Sequence, residues 1–182
     1  MKPIIARWQT SSGDGIEHLV LRHEGQDIVA EGVVLGDGGQ PAAVWYRVLC
    51  DSDWRVRDLR IARVGADRAV ELQGDGLGRW RDDTGAAMPA YDGAIDVDFA
   101  ATPFTNTLPI RRLDLRPGQS AEIAAVYVNF PDLTVSREPQ RYTRLGALHY
   151  RFESLDGDFT RDIEVDEHGL VVSYPGLFQR IL

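Results

Sequence analysis

The chain has 182 residues, 43% hydrophobic and 26% charged, with a formal net charge of −8. Such a chain can bury a core, which excludes collagen-like, disulfide-framework and disordered classes. The acidic balance argues against nucleic acid as a partner and against adsorption to anionic lipid surfaces. Cys50 is the only cysteine, so no internal disulfide forms, and with Val48 and Leu49 before it the thiol reads as buried and inert. No run has the length of a signal peptide core or a membrane span. The expectation is a soluble cytoplasmic protein without an integral membrane segment, with residues 1–182 forming a single domain.

In chain order, strands are predicted over Ile4–Thr10, Gly15–Glu24, Asp27–Leu35, Ala43–Cys50, Arg55–Val64, Arg68–Gln73, Gly78–Asp82 and Gly93–Phe99. They continue over Ile110–Leu115, Ala121–Phe130, Leu133–Arg137, Leu148–Ser154, Asp158–Val165 and Leu170–Tyr174. Apolar and polar residues alternate in them, and no window of about a dozen residues keeps a 3.6-residue apolar period. Glycine-bearing turns join the runs at Gly36-Asp37-Gly38-Gly39, Gly74-Asp75-Gly76, Arg116-Pro117-Gly118 and Leu155-Asp156-Gly157. Val44–Cys50 is apolar on both faces, as in a sheet covered on both sides, and Arg55–Val64 breaks phase halfway, which predicts a bulge. Ser136–Arg141 reads as edge or loop because of Pro139, with a helical turn near Gln140–Leu145. The fold class is all-β, an antiparallel sheet curled into an open barrel or roll with little or no helix.

One stretch, Ala94–Leu115, concentrates polar chemistry. Asp96 and Asp98 share a strand face about 7 Å apart; Pro103 and Pro109 bracket Phe104-Thr105-Asn106-Thr107; Arg111 and Arg112 follow on the predicted strand. A planar guanidinium suits phosphate or carboxylate, and aspartate suits hydroxyls. No nucleophile elbow, Walker motif or dinucleotide fingerprint is present, and His18, His23, His149 and His168 stand at no zinc-ligand spacing, so neither a cofactor nor a metal is expected.

The segment Ala101–Leu115 also resembles the signature of a bacterial family named for glycolipid binding. Agreement extends through Cys50–Trp54, Gly76–Trp80, Asp96–Asp98, Gln140–Thr143, Asp166–Val171 and Tyr174–Phe178, in order along nearly the whole chain. The resemblance implies a spiral β-roll similar to lipoprotein-carrier folds, and a glycolipid or other amphiphile as ligand. The leading expectation is a noncatalytic binder, active as a monomer or weak homo-oligomer, holding an amphiphile in the concave interior. Asp98, Thr105, Asn106, Arg111 and Arg112 are the candidate polar contacts, with Trp54, Trp80 and Tyr142 on the wall. Two alternatives stay open. One is a small-substrate hydrolase or isomerase using Asp96, Asp98 or Glu153 as acid and base. The other is a protein-interaction module presenting a sheet edge or aromatic patch.

Overall fold

The computed structural model of the protein describes residues 2–36 and 41–182, so most of the expected Gly36–Gly39 turn lies outside the described residues. Among the described residues fourteen strands form one sheet. The N-terminal strands are β1 (Ile4–Thr10), β2 (Ile16–Glu24), β3 (Asp27–Gly36), β4 (Ala42–Cys50), β5 (Val56–Arg63), β6 (Ala69–Gly74) and β7 (Trp80–Asp82). A central segment holds β8 (Asp96–Phe99), a 3-10 turn at Pro103–Asn106 and helix α1 (Thr107–Leu113). The C-terminal strands are β9 (Ser120–Val128), β10 (Val135–Arg144), β11 (His149–Ser154), β12 (Thr160–Val165), β13 (Val171–Tyr174) and β14 (Phe178–Arg180). The order β7-β6-β5-β4-β3-β2-β1-β14-β13-β12-β11-β10-β9-β8 joins two meanders where the first strand pairs with the last. All pairs are antiparallel except β8 with β9. The sheet is curled and open, with β7 and β8 as its edges: side chains from β8 and from β14 line one cavity although five strands separate them in the sheet.

Alternation sets which face is buried. Ala6 and Trp8 on β1, Leu19 and Leu21 on β2, Val44, Tyr46 and Val48 on β4, and Leu59 and Ile61 on β5 point into one core with Phe99, Phe104 and Leu108. Each of these larger side chains contributes about 1.5–3 kcal/mol of burial. A second cluster joins Tyr142, Tyr150, Phe152, Ile163, Val165 and Tyr174 of the C-terminal meander to Ile110 and Leu115. Trp45 and Leu49, the other face of β4, are only half-buried, so that face is not covered as the apolar run suggests. The β5 bulge exists but lies near the strand's start: Leu49 pairs with Asp58 and Cys50 with Val56, leaving Arg57 unopposed.

Two predicted elements differ, and one strand is added. Ile110–Leu115 is not a strand; its first residues belong to α1. Thr102 caps the preceding 3-10 turn by accepting from the Phe104 N–H, and Pro103 takes the first helical position, where its missing donor costs nothing. Pro109 likewise falls within the first turn of α1, whose amides have no intrahelical partner. Ser136–Arg141 is strand rather than loop, and β10 runs on through Arg144. Pro139 is tolerated there because the β10–β11 ladder starts only at Gln140, opposite Ser154. Its carbonyl still accepts from the Leu155 N–H. Finally, Phe178–Arg180 adds a short strand, β14, that the sequence does not reveal.

The tightest packing constraint lies under Gly32, where a Cβ would stand 2.3 Å from Cε1 of the fully buried Tyr46. Gly32→Ala is expected to destabilise the fold by about 1–3 kcal/mol through overpacking. Urea unfolding midpoints at constant slope measure this.

Candidate functional site

Four loops share one construction. Asp51, Asp75, Asp82 and Asp166 each accept, through Oδ1, the backbone N–H groups two and four residues on: Asp53 and Arg55, Leu77 and Arg79, Thr84 and Ala86, His168 and Leu170, all at 2.7–3.0 Å. The residue three positions after the aspartate is left-handed in every case: Gly78 (φ 94°), Gly85 (85°) and Gly169 (79°), but Trp54 (63°) in the first loop. Glycine takes this conformation freely, whereas a side chain there costs about 1–2 kcal/mol. Trp54 therefore occupies a strained position that three sister loops give to glycine. Strain of this kind concentrates where a side chain must be presented.

Three of these loops converge. A cleft of about 750 Å³ is lined from the N-terminal meander by Ser52, Asp53, Trp54, Arg55, Gly76 and Leu77, and from the C-terminal meander by Arg144, Leu148, Tyr150, Asp166, Glu167 and Gly169. Between them stands the end of α1, with Ile110, Arg111, Arg112 and Asp114. Asp114 is left-handed at the helix C-cap, turning the chain away so that the last-turn arginines face the cleft.

The two arginines diverge because consecutive helical residues point about 100° apart. Arg112 makes a two-pronged ion pair with buried Asp96, with Nε to Oδ1 at 3.0 Å and Nη2 to Oδ2 at 2.5 Å. Burial pushes the Asp96 carboxyl up, and the Arg112 hydrogen bonds and charge oppose it. Arg111 makes no ion pair among the described residues. Its stem crosses Gly169, where an added Cβ would meet Cδ at 2.9 Å, and its guanidinium lies 5.5 Å from the Trp54 ring centre. It thus bridges loops of the two meanders by packing and a cation–π contact. Arg144 donates to the carbonyls of Leu115, Gly146 and Ala147, fixing the opposite wall.

The eight predicted residues therefore part company. Trp54, Arg111 and Arg112 line the cleft. Asp98 and Asn106 line a second cavity of about 310 Å³ that shares no residue with the first. Thr105 and Tyr142 stand behind that cavity as supports. Thr105 accepts from the Phe99 N–H and donates to Asp98; the Tyr142 hydroxyl donates to Asn106 Oδ1 at 2.9 Å. Trp80 is core, its indole N–H held by the Ala94 carbonyl at 2.7 Å. Arg55, Arg144 and Tyr150 in the cleft, and Glu138, Gln140 and Phe159 in the cavity, escape sequence reasoning because only the folded sheet brings them there. Of the acids named for acid–base chemistry, Asp96 is held by Arg112 and Glu153 lies 3.6 Å from Arg141, while Asp98 faces the second cavity. Burial pushes the Cys50 thiol strongly up, as a structural cysteine requires. Among the described residues no group of three or more His, Cys, Asp or Glu could hold a metal ion, and no helix is long and apolar enough to cross a membrane.

One fully buried acid is more legible than it first looks. Glu17 falls in phase with Leu19 and Leu21, and points inward with them. Its Oε1 accepts from the Tyr46 and Thr102 hydroxyls, while Oε2 has no partner. Burial raises its pKa to about 8, although both hydroxyls pull the other way.

An open, coiled antiparallel roll with a polar cleft where its two meanders meet is the class of protein that fold and site define. The chain belongs to the family described as "Putative glycolipid-binding", whose model matches residues 5–180. It is similar to the crystal structure of a DUF1089 family protein from Pseudomonas aeruginosa, with 41% identity, 92% of each chain covered and a TM-score of 0.81. No functionally curated protein matches the chain.

Folded Glu17 keeps its proton up to about pH 8, whereas an unfolded carboxyl releases it near the ordinary value of about 4.3. Between those values the folded state binds the extra proton, so stability falls as pH rises across that window and levels off above it. Urea unfolding at pH 5 and pH 8.5 is expected to show wild type losing on the order of a few kcal/mol relative to Glu17→Gln. Parallel pH profiles for the two proteins would contradict this.

Proposed function

We propose that the chain is a noncatalytic binding protein for an amphiphile such as a glycolipid, acting as a single domain over residues 1–182, with the polar head seated in the cleft between the meanders. The observation that carries this reading is Trp54, strained into a glycine position and stacked under Arg111. The indole packs partly against the core, and presenting its remaining face to a ligand accounts for a strain that glycine would avoid.

The chemistry of the cleft fits a hydroxylated head. Arg55, Arg111, Arg112 and Arg144 face Asp53, Asp114, Asp166 and Glu167, a mixed set that offers donors and acceptors without a dominant sign. Hydroxyls, each both donor and acceptor, suit such a lining, and an indole face suits a sugar ring. The rim is apolar: Leu77 is 72% and Leu148 41% exposed. Apolar side chains left in water beside a polar cleft favour a ligand with an apolar portion. The cleft's volume lies in the range of small-molecule sites. The concave face of the N-terminal meander, by contrast, is filled by Trp8, Tyr46, Phe99 and Phe104, so the cleft rather than that interior is the place for the head. Of the three acids of the hydrolase reading, Asp96 and Glu153 are each beside an arginine and Asp98 lies in the second cavity, so none is free to move protons in the cleft, which favours binding there.

The test is native mass spectrometry of protein purified from its own host, followed by organic extraction. Wild type is expected to carry a stoichiometric extra mass that extracts as a glycolipid. Trp54→Gly and Arg111→Ala are expected to lose it while remaining folded. Relief of backbone strain partly offsets lost packing in Trp54→Gly, keeping it within about 1–2 kcal/mol of wild type. Trp80→Ala, a core truncation, costs about 3–5 kcal/mol instead. A bare wild-type mass that host lipids do not shift, or full retention by Trp54→Gly, would overturn the proposal.

A further inference from the structure

The second cavity has a chemistry of its own. One wall is a run of aromatic rings: Phe152 and Phe159 meet at 5.9 Å between centres, Phe159 and Tyr174 at 6.4 Å, and Tyr174 and Phe178 at 6.3 Å. The rest of the lining includes Asp98 and Glu138, with Asn106, Gln140 and Ser154. Asp98 is anchored by neutral donors alone, Thr105 Oγ1 to Oδ1 at 3.2 Å and Gln140 Nε2 to Oδ2 at 2.7 Å. Glu138 accepts from Ser136 Oγ at 3.0 Å. Among the described residues neither carboxylate makes an ion pair, whereas Asp58, Asp96, Asp162 and Asp166 on the same sheet each have an arginine. Arg161 stacks on Phe159 at 4.7 Å, so the wall accepts a cationic group, but it pairs with neither acid. Both carboxyls are pushed up, chiefly by burial; for Glu138 the charges of Asp156 and Asp98 add to it.

Two acids that share a cavity with aromatic rings, and that no cation pairs with among the described residues, leave negative charge uncompensated in a partly dry space. A metal ion would gain nothing from ring walls and would need more oxygen ligands than converge here. An organic cation gains from both kinds of group, carboxylate charge and ring faces. We propose that this cavity binds an organic ammonium group carried on a small apolar or sugar-like body, using Asp98 and Glu138 for the charge and the Phe152–Phe178 wall for the body. The site does not rest on the cleft reading, because the two share no lining residue.

Calorimetric titration of the full chain with glucosamine, N-acetylglucosamine and tetramethylammonium tests it. These probes separate a primary amine from a neutral amide on one sugar body, and add a quaternary ammonium that carries no sugar. The cavity is expected to bind at least one of the two cations, and N-acetylglucosamine about 10-fold more weakly than glucosamine if the amine is the one taken. Asp98→Asn and Glu138→Gln are each expected to weaken cation binding by about 10-fold or more, and Phe159→Leu by about 2–5-fold. Glu138 is only partly buried, so its variant decides the matter if Asp98→Asn fails to fold. Binding of N-acetylglucosamine as tight as that of glucosamine, binding of neither cation at tens of millimolar, or cation affinity unchanged in Glu138→Gln would each overturn the proposal.

Discussion

The structure depends on satisfying a buried polar strip. Among the described residues the buried polar side chains are Glu17, Asp96, Thr102, Thr105, Asn106, Thr107 and Gln140. Five lie on the central segment, and the other two hydrogen-bond to it, Glu17 through Thr102 and Gln140 through Asp98. A buried polar group left unpaired costs more than a paired one gains; the segment supplies some partners itself, as Arg112 does for Asp96, and the rest come from outside it. The N-terminal meander supplies Glu17 and Tyr46; the C-terminal meander supplies Gln140, Tyr142 and, through the Gly169 carbonyl, the partner of Thr107. Both meanders are thereby drawn onto one short piece of chain.

Both cavities follow from that arrangement. With β8 and the 3-10 turn held inside, α1 emerges where the meanders meet, and its last turn places Arg111 between the Trp54 and Gly169 loops. Asp98, fixed by Thr105 and Gln140, lines the other cavity together with the aromatic rings of the β11–β14 region. The aspartate-anchored loops make the cleft's rim rigid: each carboxylate ties down two amides that a longer, freer loop would leave to water. Among those four loops, Trp54 is the side chain that stands where the others have glycine.

Much of the fold is legible in the chain because a half-buried antiparallel strand writes its own alternation, and β1 to β6 lie where that alternation puts them. The central stretch is equally visible as the point of concentrated polar chemistry. Its helix is not, because Leu108 and Ile110 alternate as in a strand, about two turns are too short to set a helical period, and the Thr102-Pro103 start signal is local and brief. β14 is hidden for a different reason: three residues carry no period, and their pairing with β1 spans almost the whole chain. For the site, residue type proves a better guide than grouping. Trp54, Arg111 and Asp98 do face open space, but the sheet's curl divides them between two cavities. Trp80 and Tyr142 look like wall residues because they sit beside turns; they are core because the Ala94 carbonyl and Asn106 satisfy their polar atoms inside.

The four tryptophans permit a direct test of where the ligand sits. In a uniformly ¹⁵N-labelled sample each indole N–H gives one signal. Those of Trp8 and Trp80 are locked to the carbonyls of Val171 and Ala94, whereas Trp54 lies in the cleft. On titration with polar lipids extracted from the host, held in mixed micelles, the account predicts a saturable shift of the Trp54 indole signal with Trp8 and Trp80 unmoved. Saturable binding that leaves Trp54 unperturbed, or the absence of any saturable change, would contradict it.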